Sequence, residues 1–416
     1  WQAPDEPAHY NYVGQVASGT LLPVIEMGDW DQAYLDTLKA NGFNPDSLDR
    51  FDSIQYEDHQ PPLYYWLNAP IFLITDGNLF ALRMVSVLLG ALTVALSYLV
   101  ALAILPHRAS IALATMALVA FLPQNLHILA SVNNDALAGV VIALLLWLCV
   151  RYLRGLGDGT EWQLGLVLGL AIITKTTTYF MAAVVVLVIV LRWWNHSPQK
   201  SLRPLLNAML LLVIPALIFA GFYWGRNLAT YGGTDFLGLA AHDSVVVGQP
   251  RTAEGIATLG FSTYLRNGIT TTFNSFWGQF GWMAAPLDGV VPWFYPLMGV
   301  VLLVAGVGWL LRFAGIRPEN DLPSLQQRSI FWLMIVVLLL TLAQFVYYNL
   351  VFQQFQGRYL FTGLLPFALA VVLGLDAWMF QLERRIPAAR WLLPLLVGLL
   401  AVLDFYLIWR VIPGAL

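Results

Sequence analysis

Two short stretches concentrate the residues that can move a proton or hold an ion. Asp5, Glu6 and His9 lie in "APDEPAHY", and Glu57, Asp58 and His59 precede the double proline of "EDHQPPLYYWL". Acids, histidines and prolines gathered so densely in so apolar a chain mark these stretches as the places where polar chemistry can occur. On a helix Asp5 and His9, four residues apart, share a face. With Glu57, Asp58 and His59 they include hard and borderline metal ligands, and a divalent cation on those oxygens could bridge to a phosphate. No recognised ligand spacing is present, however. The same residues also have structural readings. Asp5-Glu6-Pro7 is how a helix starts, with an acid at the N-cap, proline in the first turn and carboxylates at the positive end of the helix dipole. Glu57 and Asp58 before Pro61-Pro62 share that reading. Asn133, Asn134 and Asp135 either cap the apolar run that follows or serve an acceptor or metal side.

Positive charge is as sparsely placed. Lys175 sits in "TKTTT", between two apolar half-length helices, where a charge is costly unless it faces a polar cavity or a partner. Arg226 in "WGRN" and Arg358 in "QGRY" fall at span ends; they are either ligands for an anion or anchors that snorkel to the headgroups. The aromatics of "FNSFWGQFGWM" (Phe273–Met283) and "YWGRNLATYGG" line a sugar or acceptor groove or belong to an interfacial belt. His127 and His242 have no partner pattern and read as structural.

The elements that must position these groups are membrane helices. Mean hydropathy is +0.69, with 59% hydrophobic and 11% charged residues, against about 25% charged in soluble domains. The single cysteine, Cys149, lies in an apolar run and excludes an intrachain disulfide. Apolar stretches able to cross a layer of about 30 Å occur at 79–105, 110–130, 136–153, 204–224, 290–312, 329–349, 360–380 and 391–411. The run from Trp162 to Trp194 divides into two short helices meeting at Lys175, giving about ten spans.

Alternating them puts Arg108; Arg151 and Arg154; Arg192, Lys200 and Arg203; Arg312, Arg317 and Arg328; and Arg384, Arg385 and Arg390 on one side. That side reads as cytoplasmic by the positive-inside rule, and the acid-rich loops as extracytoplasmic. The orientation requires Pro61–Thr75 to lie along the interface, with Tyr64, Tyr65 and Trp66 at the headgroups. Trp1 is an odd start, and a further span upstream is expected. The expected organisation is a first extracytoplasmic loop (1–78), an N-terminal transmembrane module (79–224), an extracytoplasmic loop (225–289) and a C-terminal transmembrane module (290–416). The spans are nearly free of charge and show no internal repeat, unlike many transporters.

"PDEPAHY", "HQPPLYYWL", "NND" at Asn133–Asp135, "TK" at Thr174–Lys175, "WGRN" and "QGRY", in that order, resemble the GT-C glycosyltransferases, which include protein O-mannosyltransferases and aminoarabinose transferases of lipid A. A closer likeness is to a group of bacterial membrane proteins distantly related to these, which share the "DEP-x-H", "HQPPLYY", "FWGQFGW" and "QGRY" stretches. The resemblance implies an all-α polytopic membrane protein: a GT-C-like helical bundle whose extracytoplasmic loops carry short interfacial helices. It implies a bacterial plasma-membrane enzyme that transfers a sugar from a polyprenyl phosphate to an acceptor glycan, lipid or protein on the outer face, with no nucleic-acid partner.

By the same resemblance Asp5 is the general base, with Glu6 beside it. Direct displacement would invert the anomeric centre through a transition state of oxocarbenium character. The leaving phosphate calls for cationic donors, and the candidates are Arg358, Arg226, Lys175 and His59. A lysine often precedes the double proline in the family, where this chain has Gln60, which shifts weight to His59 and the arginines. His9, Glu57, Asp58, Asp135 and Tyr64 fall to the acceptor or sugar side. Family members using monophosphate lipid donors generally work without metal, so no cofactor is expected. The rival readings are a transporter or flippase for a lipid-linked sugar, and a non-catalytic partner in envelope assembly.

Overall fold

The computed structural model describes residues 1–156, 159–196, 201–315 and 325–412. Lys200 and Arg317, counted above among the basic loop residues, lie outside the described residues. In hydrocarbon each backbone N–H and C=O must be satisfied within the protein, so apolar segments of this length become helices. In chain order they are α1 (Glu6–Ala17), α2 (Gln32–Ala40), α3 (Leu63–Thr75), α4 (Leu79–Ile104), α5 (Ala109–Ala120), α6 (Pro123–Leu129), α7 (Asp135–Leu153), α8 (Thr160–Ile172), α9 (Phe180–His196), α10 (Leu202–Tyr231), α11 (Leu239–Val245), α12 (Thr252–Leu259), α13 (Phe261–Trp277), α14 (Phe294–Phe313), α15 (Leu325–Asn349), α16 (Leu364–Glu383) and α17 (Leu392–Tyr406). Eight helices among the described residues are long and apolar enough to cross a membrane. The all-α polytopic fold class expected from the sequence is the one observed.

Three local expectations are corrected. The stretch 110–130 is not one helix: α5 and α6 meet at a 65° bend. Leu122 is extended ahead of Pro123, because the proline ring excludes the helical region for the residue before it. The run Trp162–Trp194 does break at Lys175, which is extended, but only α8 is short; Thr176–His196 is long enough to span. In α3, Tyr64 and Tyr65 are fully buried and so do not face headgroups. Tyr64 meets Ser86 of α4 at 2.7 Å, and Tyr65 meets His9 of α1 at 2.8 Å.

The bundle has two unlike ends. At one, Arg108 and Arg312 converge on Asp376 at 2.7 and 3.4 Å, while Arg154 and Arg192 donate to the Ala103 and Tyr152 carbonyls. At the other, the polar loops fold into a layer with its own small core of Leu35, Leu38, Phe43, Ile54, Val245 and Val246. Trp282 ties that layer together, donating from its indole to the Trp1 carbonyl and stacking on Phe43. The span α7 is the most enclosed, and its N-terminal end points at the loop layer, where the candidate site is assembled.

Candidate active site

Asp5 occupies the N-cap position of α1, but its side chain makes no capping bond. Its backbone is left-handed, with φ 67° and ψ −6°, a conformation that costs an L-residue roughly 1–2 kcal/mol and that concentrates where function constrains geometry. The carboxylate is thereby free for tertiary partners. Tyr56 donates its hydroxyl to Oδ1 at 3.0 Å, and Arg358 donates Nη2 to Oδ2. Burial pushes the Asp5 carboxyl up, but the Arg358 guanidinium, helped by the Tyr56 hydroxyl, outweighs it and holds the group at about 2.

Arg358 reaches this position because Gly357 lets the chain press against α13. A Cβ at Gly357 would lie 2.3 Å from the Phe276 nitrogen, a separation that no side chain tolerates. The Arg358 side chain is 3% exposed and that of Asp5 23%. Only Nη2 of the guanidinium is engaged by Asp5; Nε and Nη1 are buried with no hydrogen-bond partner. An unmet buried donor costs about 1–3 kcal/mol, more when charged, and two donors of this fork have no acceptor within the protein.

Around the pair stands a second one. Lys175 donates to Asp135 Oδ1 at 2.6 Å, joining the break after α8 to the first turn of α7. The expense of a charge at Lys175 is thus met by a partner. Burial and the Lys175 charge depress His9 to about 3, which leaves it neutral beside Tyr65. Burial, then the Asp5 charge, raises Glu57 to about 8. At neutral pH two carboxylates therefore face two cations, with Glu57 protonated and net charge near zero. Asp135 and Arg358 also line a cavity of about 60 Å³ between α7 and the 357–365 segment.

A groove of about 660 Å³ lies between α13 and α15. Ile269, Phe273, Leu342 and Phe345 give it an apolar wall, and Phe355, Leu360 and Gly363, which bracket Arg358 in the chain, also line it.

Residues 59–219, somewhat under half of the chain, match the family model described as dolichyl-phosphate-mannose-protein mannosyltransferase. The match supports a GT-C type membrane glycosyltransferase. Enzymes of this family use a sugar linked to a polyprenyl phosphate. No curated protein and no solved structure matches the chain. The matched segment of the transferase holds His59, Tyr64, Asp135 and Lys175; Asp5, Glu6, His9, Glu57, Asp58, Arg226 and Arg358 lie outside it.

The remaining sequence candidates in the transferase are placed elsewhere or differently engaged. The Glu6 carboxylate is 0% exposed and forms a two-pronged pair with Arg83 at 2.7 and 2.5 Å, while also accepting from the Val132 N–H. Glu6→Gln should cost on the order of 3 kcal/mol, the lower end for a broken buried pair because a third of Arg83 reaches solvent. A depressed thermal unfolding midpoint would report it. Tyr64 is enclosed, accepting from the Asn133 N–H at 3.0 Å, and the structure does not bring it to the Asp5–Arg358 pair. Arg226 is occupied with the Leu22 and Pro23 carbonyls and pins the first loop. His59 donates Nδ1–H to the Tyr56 carbonyl and lies 4.4 Å from the His242 ring. Asp58 accepts from Gln15 at 2.6 Å and is pushed up to about 8 by burial. Among the described residues no three His, Cys, Asp or Glu side chains are grouped to hold a metal ion.

Tyr56 and Arg83 were not among the sequence candidates, and no local pattern marks them; Tyr65, in the motif but read as a headgroup residue, meets His9 instead. Glu57 makes one expectation specific to this transferase. Its proton is present below about 8; above that a third carboxylate charge appears beside Asp5 and repels an anionic donor. Turnover should fall as pH rises through 8, and Glu57→Gln should flatten that limb in a pH–rate profile.

Proposed function

We propose that the enzyme transfers a sugar from a polyprenyl monophosphate to an acceptor hydroxyl on the extracytoplasmic face, with inversion at the anomeric carbon. The observation that carries this reading is the Asp5–Arg358 pair, in which a carboxylate faces a guanidinium with two unspent donors. The donor phosphate takes Arg358 Nε and Nη1, a planar fork suited to phosphate. The apolar groove that Leu360 and Phe355, chain neighbours of Arg358, help to line accepts the lipid tail. Lys175 and Asp135 hold the cluster near neutrality, so the added phosphate charge is met by Arg358 rather than opposed.

Asp5 at about 2 is a weak base while Arg358 holds it. Phosphate on Arg358 competes for the guanidinium, which loosens the pair and raises the basicity of Asp5 when the donor is in place. Asp5 then takes the acceptor proton as the hydroxyl oxygen attacks the anomeric carbon. The bond to the phosphate oxygen breaks on the opposite side, and the polyprenyl phosphate departs with its electron pair. Charge growing on that oxygen is stabilised by donors already in position. The outward reading is supported by the gathering of Arg108, Arg154, Arg192 and Arg312 at the far end of the bundle under the positive-inside rule. Mannose, named by the matched family, is the first donor sugar to try.

Oriented proteoliposomes given an α-linked or a β-linked donor test the reading. The expected product forms on the side bearing the loop layer and carries the opposite anomeric configuration by NMR. Product on the arginine-rich side, or retained configuration, would refute it. Translocation of donor without product would favour the carrier alternative.

A further inference from the structure

A second cleft, of about 580 Å³, opens on the loop layer away from the lipid groove. It lies where the two polar loops meet. Trp30 and Val247 both line it, and the Trp30 indole donates to the Val247 carbonyl at 2.9 Å. Its other polar lining is Asp31, Gln32, Arg50, Asp52 and Ser53. Asp31 and Arg50 face one another at 3.2 Å, with both side chains exposed.

That lining suits one ligand chemistry. An indole offers a flat apolar surface with polar groups at its margin, as the C–H face of a pyranose requires. Carboxylate, amide and guanidinium groups are planar and offer paired donors or acceptors, matching vicinal hydroxyls. The cleft's apolar lining beyond Trp30 is confined to Gly28, Ala33 and Val247, too little for a lipid chain. It also has no strand edge to pair with an extended peptide. The volume falls within the range of ligand sites.

The cleft is coupled to the chemistry through one residue. Trp30 packs edge-on against Tyr56, centroids 4.9 Å apart at 90°, and Tyr56 donates to Asp5. Trp30 and Tyr56 therefore stand between the cleft and the carboxylate proposed as base, so an acceptor seated there must extend past them to present its reacting hydroxyl.

We infer that the Trp30 cleft is an outer acceptor subsite, holding sugar residues of an oligosaccharide acceptor remote from its reacting hydroxyl. The inference deepens the proposed transfer reaction and rests on it for the word acceptor; the binding itself does not need turnover.

The test is saturation-transfer NMR on the full chain in lipid nanodiscs, using a hexose tetrasaccharide, an N-acetylhexosamine tetrasaccharide and a Ser/Thr-rich octapeptide as probes. At least one tetrasaccharide should show saturation of its ring protons, reduced threefold or more by Trp30→Ala and by Asp52→Ala and unchanged by Asp5→Asn. Asp52→Ala guards against misfolding, since its side chain is exposed. The inference is overturned if neither tetrasaccharide is saturated, if both variants bind as the wild type does, or if the octapeptide alone binds and loses its signal in those variants. Failure of the Asp5 chemistry would instead appear as unchanged sugar transfer in Asp5→Asn, with these binding signals intact.

Discussion

Asp5→Asn should lower sugar transfer by about 10²–10⁴-fold, the range expected for loss of a general base, while the protein still inserts. The substitution keeps the side-chain shape and an oxygen to accept from Tyr56, but removes the charge that pairs with Arg358. Two consequences separate a catalytic role from a structural one. Arg358 is nearly buried, so losing its counter-charge should lower the thermal midpoint, as breaking a buried pair does. Donor affinity should nevertheless rise, because phosphate no longer competes with a carboxylate for the guanidinium. A purely structural Asp5 would lose turnover and donor affinity together. Normal turnover in the variant, measured with radiolabelled lipid-linked sugar, would remove Asp5 as base.

Arg358→Ala should weaken polyprenyl phosphate binding by about 3 kcal/mol, on the order of a hundredfold, if each of its two unpaired donors forms a charge-assisted bond of roughly 1.5 kcal/mol. Arg358→Lys keeps the charge and loses the planar fork, so it should fall between the wild type and the alanine variant. The change also alters the proton balance. Burial alone pushes Asp5 up and Arg358 is what brings it down to about 2; without the guanidinium the carboxyl retains its proton to a higher pH. Since the base acts deprotonated, residual activity in Arg358→Ala should be lost on the acid side at a higher pH than in the wild type. Donor titrations and pH–rate profiles of the two variants check both points, and unchanged donor affinity would take Arg358 out of the phosphate site.

Hydropathy made the bundle legible, because apolar length alone decides which segments span. The broken run at Lys175 was legible for the same reason: a charge between apolar halves needs a partner, and Asp135 is that partner. The bend before Pro123 was also written in the chain but was overridden by reading 110–130 as continuous hydrophobicity. What periodicity cannot show is pairing across distance. Asp5 and Arg358 were each singled out by their motifs, yet nothing in "PDEPAHY" or "QGRY" says that residues 353 apart meet. The capping reading of Asp5 was equally plausible from sequence and fails only because the backbone turns left-handed there. Glu6, its neighbour in the motif, is taken by Arg83, a cation within an otherwise apolar span whose partner lies 77 residues away. Tyr64 and Tyr65 looked interfacial by composition, but a short helix packed on α1 and α4 buries them.

The most direct test is a cryo-electron microscopy map of the enzyme with a polyprenyl monophosphate bound in nanodiscs. The expected map shows phosphate density within hydrogen-bonding distance of Arg358 Nε and Nη1, Asp5 displaced from its close contact, and tail density along the groove between α13 and α15. Phosphate at the opposite end near Arg108 and Arg312, or a tail in another crevice with the Asp5–Arg358 contact undisturbed, would contradict it.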